Sequence, residues 1–442
     1  MTFTVPEVTQ QIQTLLTDVA EQAVDESDFC QRKSPLGQAL FVQSIVLTAM
    51  AEPHPTLNDY AQTAAAEGTP VSPQAFDQRF TPEAVDCLQR TLDQLIQNSV
   101  LNHPPAAEVL QRFDGVYLQD ATFLTLPEEA ADYYPGPDRP GERAMLKLQV
   151  QLDLKSGRLD GPLPEPGKTS DARTDMDNGD LPKGSLHIAD RGYFKLDRFQ
   201  QLSDQGVYWL TEYQRPTAIY IDETPLDLLA YLSGPMADKE SIDIDVFLGA
   251  RHQLGCRLLA WRVKPEVANR RRQRLKRKAA DEGREPSAEQ LALCDWTICL
   301  TTIPRDKASV QEVAVLLRAR WQIEILFRVR KSGGGLDSSR SDKGDRMTCE
   351  VLGKLIAQVL SHWLTVVAGW SLDGLSLYKA YKAIRQSVGN WIVILDQPER
   401  MQESIRTICR RIAKAAKTQK RTSKPSTSQQ LMDPWCVELA EL

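Results

Sequence analysis

Three carboxylates of this chain stand where metal-assisted chemistry would need them: Asp120, Asp190 and Glu324. Asp120 lies in VYLQDATFLTL, whose alternation predicts a strand, and it shares a face with apolar side chains. A carboxylate on a buried face needs a proton, a partner charge or a metal. Asp190 ends the short strand predicted for SLHIAD, and ligands gather at strand ends in open α/β sheets.

The three side chains together predict a divalent-metal site. Carboxylate oxygens are hard ligands that suit Mg²⁺ or Mn²⁺. Two such ions can activate a water or a 3′-hydroxyl and stabilise the leaving oxygen in an in-line phosphoryl displacement. Taken singly, each aspartate fits an ordinary turn or capping role equally well.

Glu324 lies in a segment, residues 313–331, whose apolar periodicity predicts one continuous helix. At about 100° per residue, Arg320, Glu324 and Lys331 fall on one narrow strip beside an apolar stripe. The helix could therefore pack on a sheet and direct the charged strip along its edge. The alternative is a surface salt-bridge ladder, worth about 0–1 kcal/mol.

Positive charge is concentrated in two segments, although the formal net charge is −6. Residues 270–278 (RRRQRLKRK) hold seven cations, and residues 404–424 hold eight cations and no acid. A protein can bind DNA through such patches without being basic overall. We predict DNA contacts by Arg270, Arg271 and Arg272; a solvated helix face and a disordered tail are the alternatives.

The elements that must position these residues change in character along the chain. Residues 1–112 are predicted to form a helical DNA-binding region, in which the helix-turn-helix pattern near residues 56–80 fits an ordinary helical bundle equally well. Strands and a helix in residues 113–214 predict a mixed α/β sheet. Residues 215–303 are strand-rich, residues 304–345 carry the Glu324 helix, and residues 346–442 are helical with a basic disordered tail.

Several classes of protein are disfavoured by the composition. The N-terminus has no basic start and no unbroken apolar run, so no secretory signal is predicted and a cytoplasmic location is expected. The most apolar stretch, Val351–Trp370, contains Lys354 and His362, which favours a buried helix over a membrane span. The eight cysteines are scattered without a C-x-x-C pair, which is typical of free thiols.

The run LRARWQIEILFRVRK resembles the Y-x-x-R-x-x-x-E-x-x-x-x-x-x-K signature of bacterial insertion-sequence transposases of the DDE class, in the cut-and-paste, hairpin-forming group. Arg320, Glu324 and Lys331 fall at the required spacing, whereas Leu317 stands at the Tyr position. YLQDATFLTLP and IADRGYF resemble the family's first and second aspartate motifs. The resemblance covers most of residues 70–370.

The resemblance implies an RNase H-like catalytic core, interrupted by a mostly β insertion domain and flanked by N- and C-terminal helical regions. It implies that Asp120, Asp190 and Glu324 bind two Mg²⁺ or Mn²⁺ ions, and that Arg320 and Lys331 contact DNA phosphates. Trp296 corresponds to a Trp that stacks on a flipped base during hairpin formation; a core Trp at a strand start is the alternative.

The function predicted from these motifs is that of a DNA transposase, acting as a homodimer on paired double-stranded DNA ends in the bacterial cytoplasm, in association with the nucleoid. Two alternatives remain open at this point. One is a metal nuclease of the same fold without strand transfer. The other is an inactive, transposase-derived DNA-binding protein, which would have no need of all three carboxylates.

Overall fold

The structure is a computed structural model that describes residues 3–30, 36–37, 39–102, 107–137, 139, 141–336, 341–370, 374–418 and 425–442. The chain forms two compact units, each assembled from three separate stretches. Unit 1 comprises Met1–Ala106, Asp120–Ser170 and Ile323–Gln419. Unit 2 comprises Ala107–Gln119, Asp171–Gln322 and Lys420–Leu442.

Helices dominate both ends of the chain. In chain order they are α1 (Val5–Thr14), α2 (Ala20–Glu26), α3 (Leu40–Ala51), α4 (Leu57–Ala66), α5 (Pro73–Asp77), α6 (Pro82–Gln97), α7 (Glu108–Gln111), α8 (Leu196–Asp204), α9 (Leu228–Ser233), α10 (Pro265–Asp281), α11 (Ala288–Ala292), α12 (Val310–Ala319), α13 (Trp321–Arg328), α14 (Gly344–Val367), α15 (Leu377–Arg385), α16 (Trp391–Ile394), α17 (Pro398–Ala415) and α18 (Thr427–Met432). Short π-helical segments cover Leu15–Val19 and Val329–Gly333.

The strands lie in the middle of the chain. They are β1 (Val116–Leu126), β2 (Ala144–Asp153), β3 (Leu159–Pro166), β4 (Leu186–Ala189), β5 (Tyr208–Glu212), β6 (Ile219–Ile221), β7 (Thr224–Pro225), β8 (Ser241–Leu248), β9 (Leu254–Arg262) and β10 (Trp296–Thr301). The strands predicted around Asp120 and Asp190 are confirmed as β1 and β4, and β2, β3 and β5 also lie within residues 113–214, where strands were predicted.

Unit 2 contains a mixed sheet in the order β1–β4–β5–β10–β9–β8–β6–β7. The first half of β1 pairs with β4, and β4 with β5, in parallel. The pairs of β10 with β5 and β9 are antiparallel, as is β9 with β8. One apolar cluster, including the fully buried Trp209, covers this sheet from α8 to β10. The predicted mixed α/β class is confirmed.

In unit 1, β2 and β3 form an antiparallel hairpin. The Pro- and Gly-containing pattern of residues 164–183 is typical of a loop, but β3 extends to Pro166. Its prolines cannot donate ladder hydrogen bonds, so they obscure the strand pattern. They are tolerated because β3 is an edge strand of the sheet.

The core of unit 1 is organised around α14, whose residues from Met347 to Val366 are all buried. The buried helix predicted for Val351–Trp370 is therefore confirmed. Helices α3 and α6 pack against it, and an aromatic cluster of Phe41, Tyr60, Phe76 and Phe80 joins α3 to α4 and α5. Within the described ranges, the helices are too short or too polar to cross a bilayer.

The basic tail predicted as disordered is partly ordered. Residues 419–424 lie outside the described residues, but α18 follows directly, with a capping box of Ser426 and Gln429 at its start. Leu431 is buried, and Gln311 donates hydrogen bonds to the carbonyls of Pro434 and Val437 at 2.8 Å each. A short helix stabilised by contacts with a distant segment gives little periodic signal in its own sequence.

Candidate active site

The two aspartates each follow a residue of the same parallel ladder. In unit 2, Gln119 of β1 is in register with Ala189 of β4. Asp120 comes directly after Gln119, and Asp190 directly after Ala189. Each carboxylate also accepts a hydrogen bond from the backbone amide of the next residue. The Ala121 amide donates to Asp120 Oδ1 at 2.8 Å, and the Arg191 amide donates to Asp190 Oδ1 at 2.6 Å.

A buried hydrogen bond supports this ladder from within. His187 Nε2 donates to Gln119 Oε1 at 2.7 Å, and both side chains are buried. Burial, aided by the charge of Arg198, lowers the pKa of His187 to about 3. The imidazole is therefore neutral at working pH, and its bond links β1 to β4 one to three residues before the aspartates.

Asp190 has an acidic neighbour that the sequence analysis missed. Glu212 ends β5, and Arg191 Nε lies 3.0 Å from its carboxylate. The parallel register pairs Ile188 with Leu210, so Asp190 and Glu212 stand two residues further along their strands. The available signal was a second acid at the end of a predicted strand, in YWLTE.

Glu324 lies on α13, on the solvent-facing side of a strongly two-sided helix. Ile323, Leu326 and Phe327 are buried. The opposite side of α13 carries the half-buried Glu324 and three exposed side chains: Trp321, Ile325 and Arg328. The buried side of α13 is therefore apolar, as predicted, whereas the side that carries Glu324 also exposes the apolar Trp321 and Ile325.

The continuous helix predicted for residues 313–331 is wrong. Helix α12 ends at Ala319, α13 begins at Trp321, and a π-helical turn covers Val329–Gly333. Arg320 lies at the junction of α12 and α13, and Lys331 in the π turn. A strip calculated at 100° per residue therefore does not hold from Arg320 to Lys331, because a π turn contains more residues than an α turn.

Lys331 contacts the strand that carries Asp120. Its Nζ donates to the carbonyl oxygen of Phe123 on β1 at 2.6 Å, within unit 1. Lys147 of β2 also lies over the Phe123 ring, 5.8 Å from the centroid. The Lys331 ammonium therefore links the end of the Glu324 helix to β1, three residues beyond Asp120.

The turn that carries Lys331 is held from behind by polar side chains of α14 and α15. Gln358 Nε2 donates to the Arg330 carbonyl at 3.2 Å, and Lys354 Nζ donates to the Gly335 carbonyl at 2.8 Å. Arg385 donates to the Gly333 carbonyl. Every one of these carbonyls belongs to the segment 330–335, so these bonds fix the turn after the Glu324 helix.

Two glycines make this close approach possible. A Cβ on Gly334 would lie 2.6 Å from Gln358 Nε2. Gly335 has φ +59°, and a Cβ there would lie 2.0 Å from the Pro53 carbonyl oxygen. The run KSGGG is typical of a polar loop, but Gly334 and Gly335 are required by packing against the helical core of unit 1.

We expect Gly335→Ala to destabilise unit 1 by at least about 2 kcal/mol. The left-handed conformation alone costs an L-residue roughly 1–2 kcal/mol, and the clash with a backbone oxygen adds to that cost. Gly389→Ala is the matched control, because a Cβ at Gly389 meets nothing within 4 Å. Denaturant unfolding measures both variants; equal stabilities would contradict the packing argument.

Trp296 requires a correction. It opens β10 as predicted, but its indole is only 6% exposed and belongs to the core cluster of unit 2. The Arg262 guanidinium lies 4.4 Å from its ring centroid. A base cannot stack on a ring that is already covered on its faces, so the structure supports the alternative of a core Trp at a strand start.

The three arginines of the basic helix α10 differ in their surroundings. Arg271 donates to the Trp296 carbonyl and to Thr297 Oγ1 at 2.9 Å each, and burial lowers its pKa. Arg272 forms a 2.6 Å ion pair with Asp295. Arg271 therefore anchors α10 to β10, and Arg272 anchors it to the residue directly before β10. Arg270 is exposed and remains a predicted DNA contact.

The residue at the family's Tyr position also has a structural explanation. Leu317 is buried on α12, so an apolar side chain fits this position. Neighbouring Arg318 donates to the Glu441 carbonyl at 2.9 Å. Its guanidinium therefore contacts the C-terminal segment of unit 2.

The residue types fit a divalent metal, although the described ranges contain no group of three or more His, Cys, Asp or Glu side chains that could hold an ion. Asp120 and Glu324 belong to unit 1, and Asp190 belongs to unit 2. All three offer carboxylate oxygens, the donors that Mg²⁺ and Mn²⁺ prefer. Their assembly into one site therefore remains a prediction.

Acids at the ends of adjacent parallel strands, followed by a Glu-bearing helix, are typical of metal-dependent phosphoryl-transfer enzymes. Comparison with known proteins agrees. The family described as "Transposase DDE domain" matches residues 111–360, which is more than half of the chain. The chain belongs to this family, which implies an RNase H-like fold, divalent-metal dependence and DNA as the substrate.

Named insertion-sequence transposases match at about one residue in four. The chain is 26% identical over 372 residues to "Transposase for insertion sequence element IS231F" of Bacillus thuringiensis subsp. israelensis, covering 79% of this chain and 77% of the relative. It is 25% identical over 317 residues to the transposase for IS1151 of Clostridium perfringens, covering 65% of each. The predicted transposase function is confirmed at this level.

Proposed function

We propose that this DNA transposase cleaves transposon ends at a site formed by Asp120, Asp190 and Glu324, and joins the ends to target DNA by a cut-and-paste route. The observation that supports the site best is the β1–β4 register, in which each aspartate directly follows one of two paired residues. Parallel strands end at one edge of a sheet, which is where ligands bind in such folds.

The three carboxylates would hold two divalent ions, Mg²⁺ or Mn²⁺. When bound, such ions lower the pKa of a nucleophilic water and stabilise charge on the leaving oxygen. The backbone bonds from Ala121 and Arg191 fix one oxygen of each aspartate, and so orient both carboxylates. The apolar side of α13 holds Glu324 on its solvent-facing side, where DNA can approach.

The cations flanking Glu324 would position the DNA backbone. Arg320 precedes α13 by one residue, and Lys331 follows it within the braced π turn. Fixed positive charges near a cleavage site keep the phosphates in register without reading the base sequence. Arg320 and Lys331 support membership of the Tyr-Arg-Glu-Lys group and its hairpin route, although Leu317 stands at the Tyr position of that signature.

The remaining parts of the proposal follow the family. Residues 215–303 would form the β insertion domain between Asp190 and Glu324, within the five-part division given by the sequence analysis. The enzyme would act as a homodimer on paired ends, in association with the nucleoid. Residues 1–112 would contribute to end binding, with α4 and α5 as the candidate helix-turn-helix.

Trp321 replaces Trp296 as the candidate for stacking on a DNA base. Its side chain is 49% exposed, and it lies on the same side of α13 as Glu324. Stacking is worth roughly 1–3 kcal/mol per base, so Trp321→Ala should lower end-cleavage about 5- to 150-fold. Trp321→Phe should restore most of the loss. If Phe behaves like Ala, the ring does not act by stacking.

The proposed activity is tested with duplexes that carry the element's own terminal inverted repeats. In Mg²⁺ the protein should cut at the repeat boundary and then join pre-cut ends to a plasmid. Cleavage without joining would favour a metal nuclease. Binding without either reaction, in Mg²⁺ and in Mn²⁺, would favour an inactive DNA-binding derivative.

A further inference from the structure

Helix α15 and the second half of α17 carry cations and no acid. Residues 374–387 contain three cations and residues 404–418 contain five, and neither segment contains an acid. The whole chain has more Asp and Glu (59) than Lys and Arg (53). The composition of a protein with more acids than cations does not predict that cations gather in segments without acids.

The two helices run antiparallel, so their cations form one surface. Leu375 pairs with Lys417 in an antiparallel bridge, and Lys379 Nζ donates to the Lys417 carbonyl at 2.7 Å. At the other end, Arg411 donates to Ser387 Oγ at 2.7 Å. We call this surface, formed by residues 378–387 and 406–417, the basic face.

The side chains of the basic face point outward because the opposite sides of both helices are apolar and buried. Ala380 and Ile384 of α15 are buried, as are Ile405, Ile408 and Ile412 of α17. The four lysines of the basic face are all exposed: Lys379, Lys382, Lys414 and Lys417. In the ranges that the structure describes, none of these four forms an ion pair with a carboxylate.

The acids nearest in sequence lie in the first half of α17. Glu403 pairs with Arg406 at 3.6 Å and also with Arg410. Its influence therefore falls on the arginines at one end of the basic face, whereas the lysines lie beyond it. Tyr378 adds an aromatic ring that is 60% exposed beside Lys379.

We propose that the basic face binds the phosphate backbone of duplex DNA, without reading its sequence. This rests on the DNA substrate of the family. From Arg406 to Ala415 the helix spans about 14 Å at 1.5 Å per residue, and a duplex of that length carries roughly eight phosphate charges. Lysines on flexible stems match such an array but provide no bidentate pattern for a base edge.

The test variant replaces Lys379, Lys382, Lys414 and Lys417 by Gln, which removes the positive charge and keeps a polar side chain. Binding to a duplex is measured in EDTA between about 50 and 200 mM salt. Each lost phosphate contact should reduce the slope of log K against log salt by about 0.9, so we expect a reduction of up to about 3.6. Affinity at the lower salt concentrations should fall at least about tenfold.

The matched control replaces four other exposed lysines by Gln: Lys168, Lys183, Lys195 and Lys239. It changes the net charge equally, and its salt slope should stay within about one unit of the wild type. Equal losses in both variants would show a general charge effect and overturn the proposal. An unchanged slope in the basic-face variant would also overturn it.

A second comparison varies the sequence of the duplex. Binding to a duplex with the inverted repeat and to an unrelated duplex should weaken by the same factor, since phosphates carry no sequence information. Loss confined to the inverted-repeat duplex would contradict backbone binding. Circular dichroism checks that α15 and α17 remain folded. If the quadruple variant unfolds, the four single Lys→Gln variants replace it. Each single variant is expected to give about one quarter of the slope change.

Because binding is measured without metal, the outcome is independent of the proposed catalytic site. An inactive protein with a normal salt response would count against the carboxylate site alone. An active protein with an unaltered slope in the basic-face variant would count against the basic face alone.

Discussion

Replacing Glu324 by Gln is expected to lower the rate of end cleavage about a thousandfold or more, with little change in DNA affinity. Gln retains the size of Glu but has no negative charge to bind a cation. Metal-assisted charge stabilisation contributes several kcal/mol to such reactions, and each 1.4 kcal/mol changes a rate tenfold. The same loss is expected for Asp120→Asn and Asp190→Asn.

The measurement is single-turnover cleavage of an end-containing duplex at saturating protein, in Mg²⁺. Glu399→Gln is the control, because Glu399 is an exposed acid in the first turn of α17 in the same unit. Full activity in any of the three variants would remove that residue from the active site. Lost DNA binding together with lost folding would instead point to a structural role, which the unfolding curve detects.

Replacing Arg257 by Ala is expected to lower the free energy of unfolding of unit 2 by about 2–3 kcal/mol, because buried carbonyls lose their donor, while Asp243 keeps Arg305 as a partner at 3.1 Å. Arg257 is buried on β9 and pairs with Asp243 of β8 at 2.7 Å. It also donates to the carbonyls of Ile303 at 2.6 Å and Ala308 at 3.1 Å. One guanidinium therefore joins two strands to the loop before α12.

Denaturant unfolding checks this effect. Arg257→Lys should be intermediate, because an ammonium cannot reproduce the planar fork of donors. Arg251→Ala, at an exposed position of the same unit, should change stability by no more than about 0.5 kcal/mol. An Arg257→Ala protein as stable as the Arg251→Ala protein would contradict the role of Arg257 as a link between β8, β9 and the loop.

The parts of the structure that could be predicted from sequence are those with strong local periodicity. β1 alternates cleanly, so the strand around Asp120 was predicted at its observed position. The carboxylates could be singled out because an Asp on a strand face is unusual. Their order in the chain and their flanking motifs then indicated the family.

Other features depend on contacts that the local sequence does not show. The two units interleave three chain segments each, and β1 itself passes from unit 2 to unit 1 between Gln119 and Asp120. The π turn before Gly334 and Gly335 is imposed by Gln358 and by the close approach of Pro53. Neither constraint is visible in the spacing of residues 313–331.

The error at Trp296 has a similar origin. A Trp at the start of a strand can lie on either face, and only the packing of unit 2 decides which. Trp321 was read as part of a helical motif, so its exposure was not anticipated. Arg271 and Arg272 were assigned to DNA from charge density alone, although both bind residues of the same unit.

The central claim is that Asp120, Asp190 and Glu324 bind the same catalytic metal ions, and metal-specificity rescue tests it most directly. Each residue is replaced by Cys, and cleavage of an end-containing duplex is compared in Mg²⁺ and in Mn²⁺. Thiolate is a soft ligand that Mg²⁺ binds poorly and Mn²⁺ accepts more readily. We predict that all three variants are inactive in Mg²⁺ and regain cleavage in Mn²⁺. If any one of the three Cys variants is folded and binds DNA but stays inactive in Mn²⁺, the claim is contradicted for that residue.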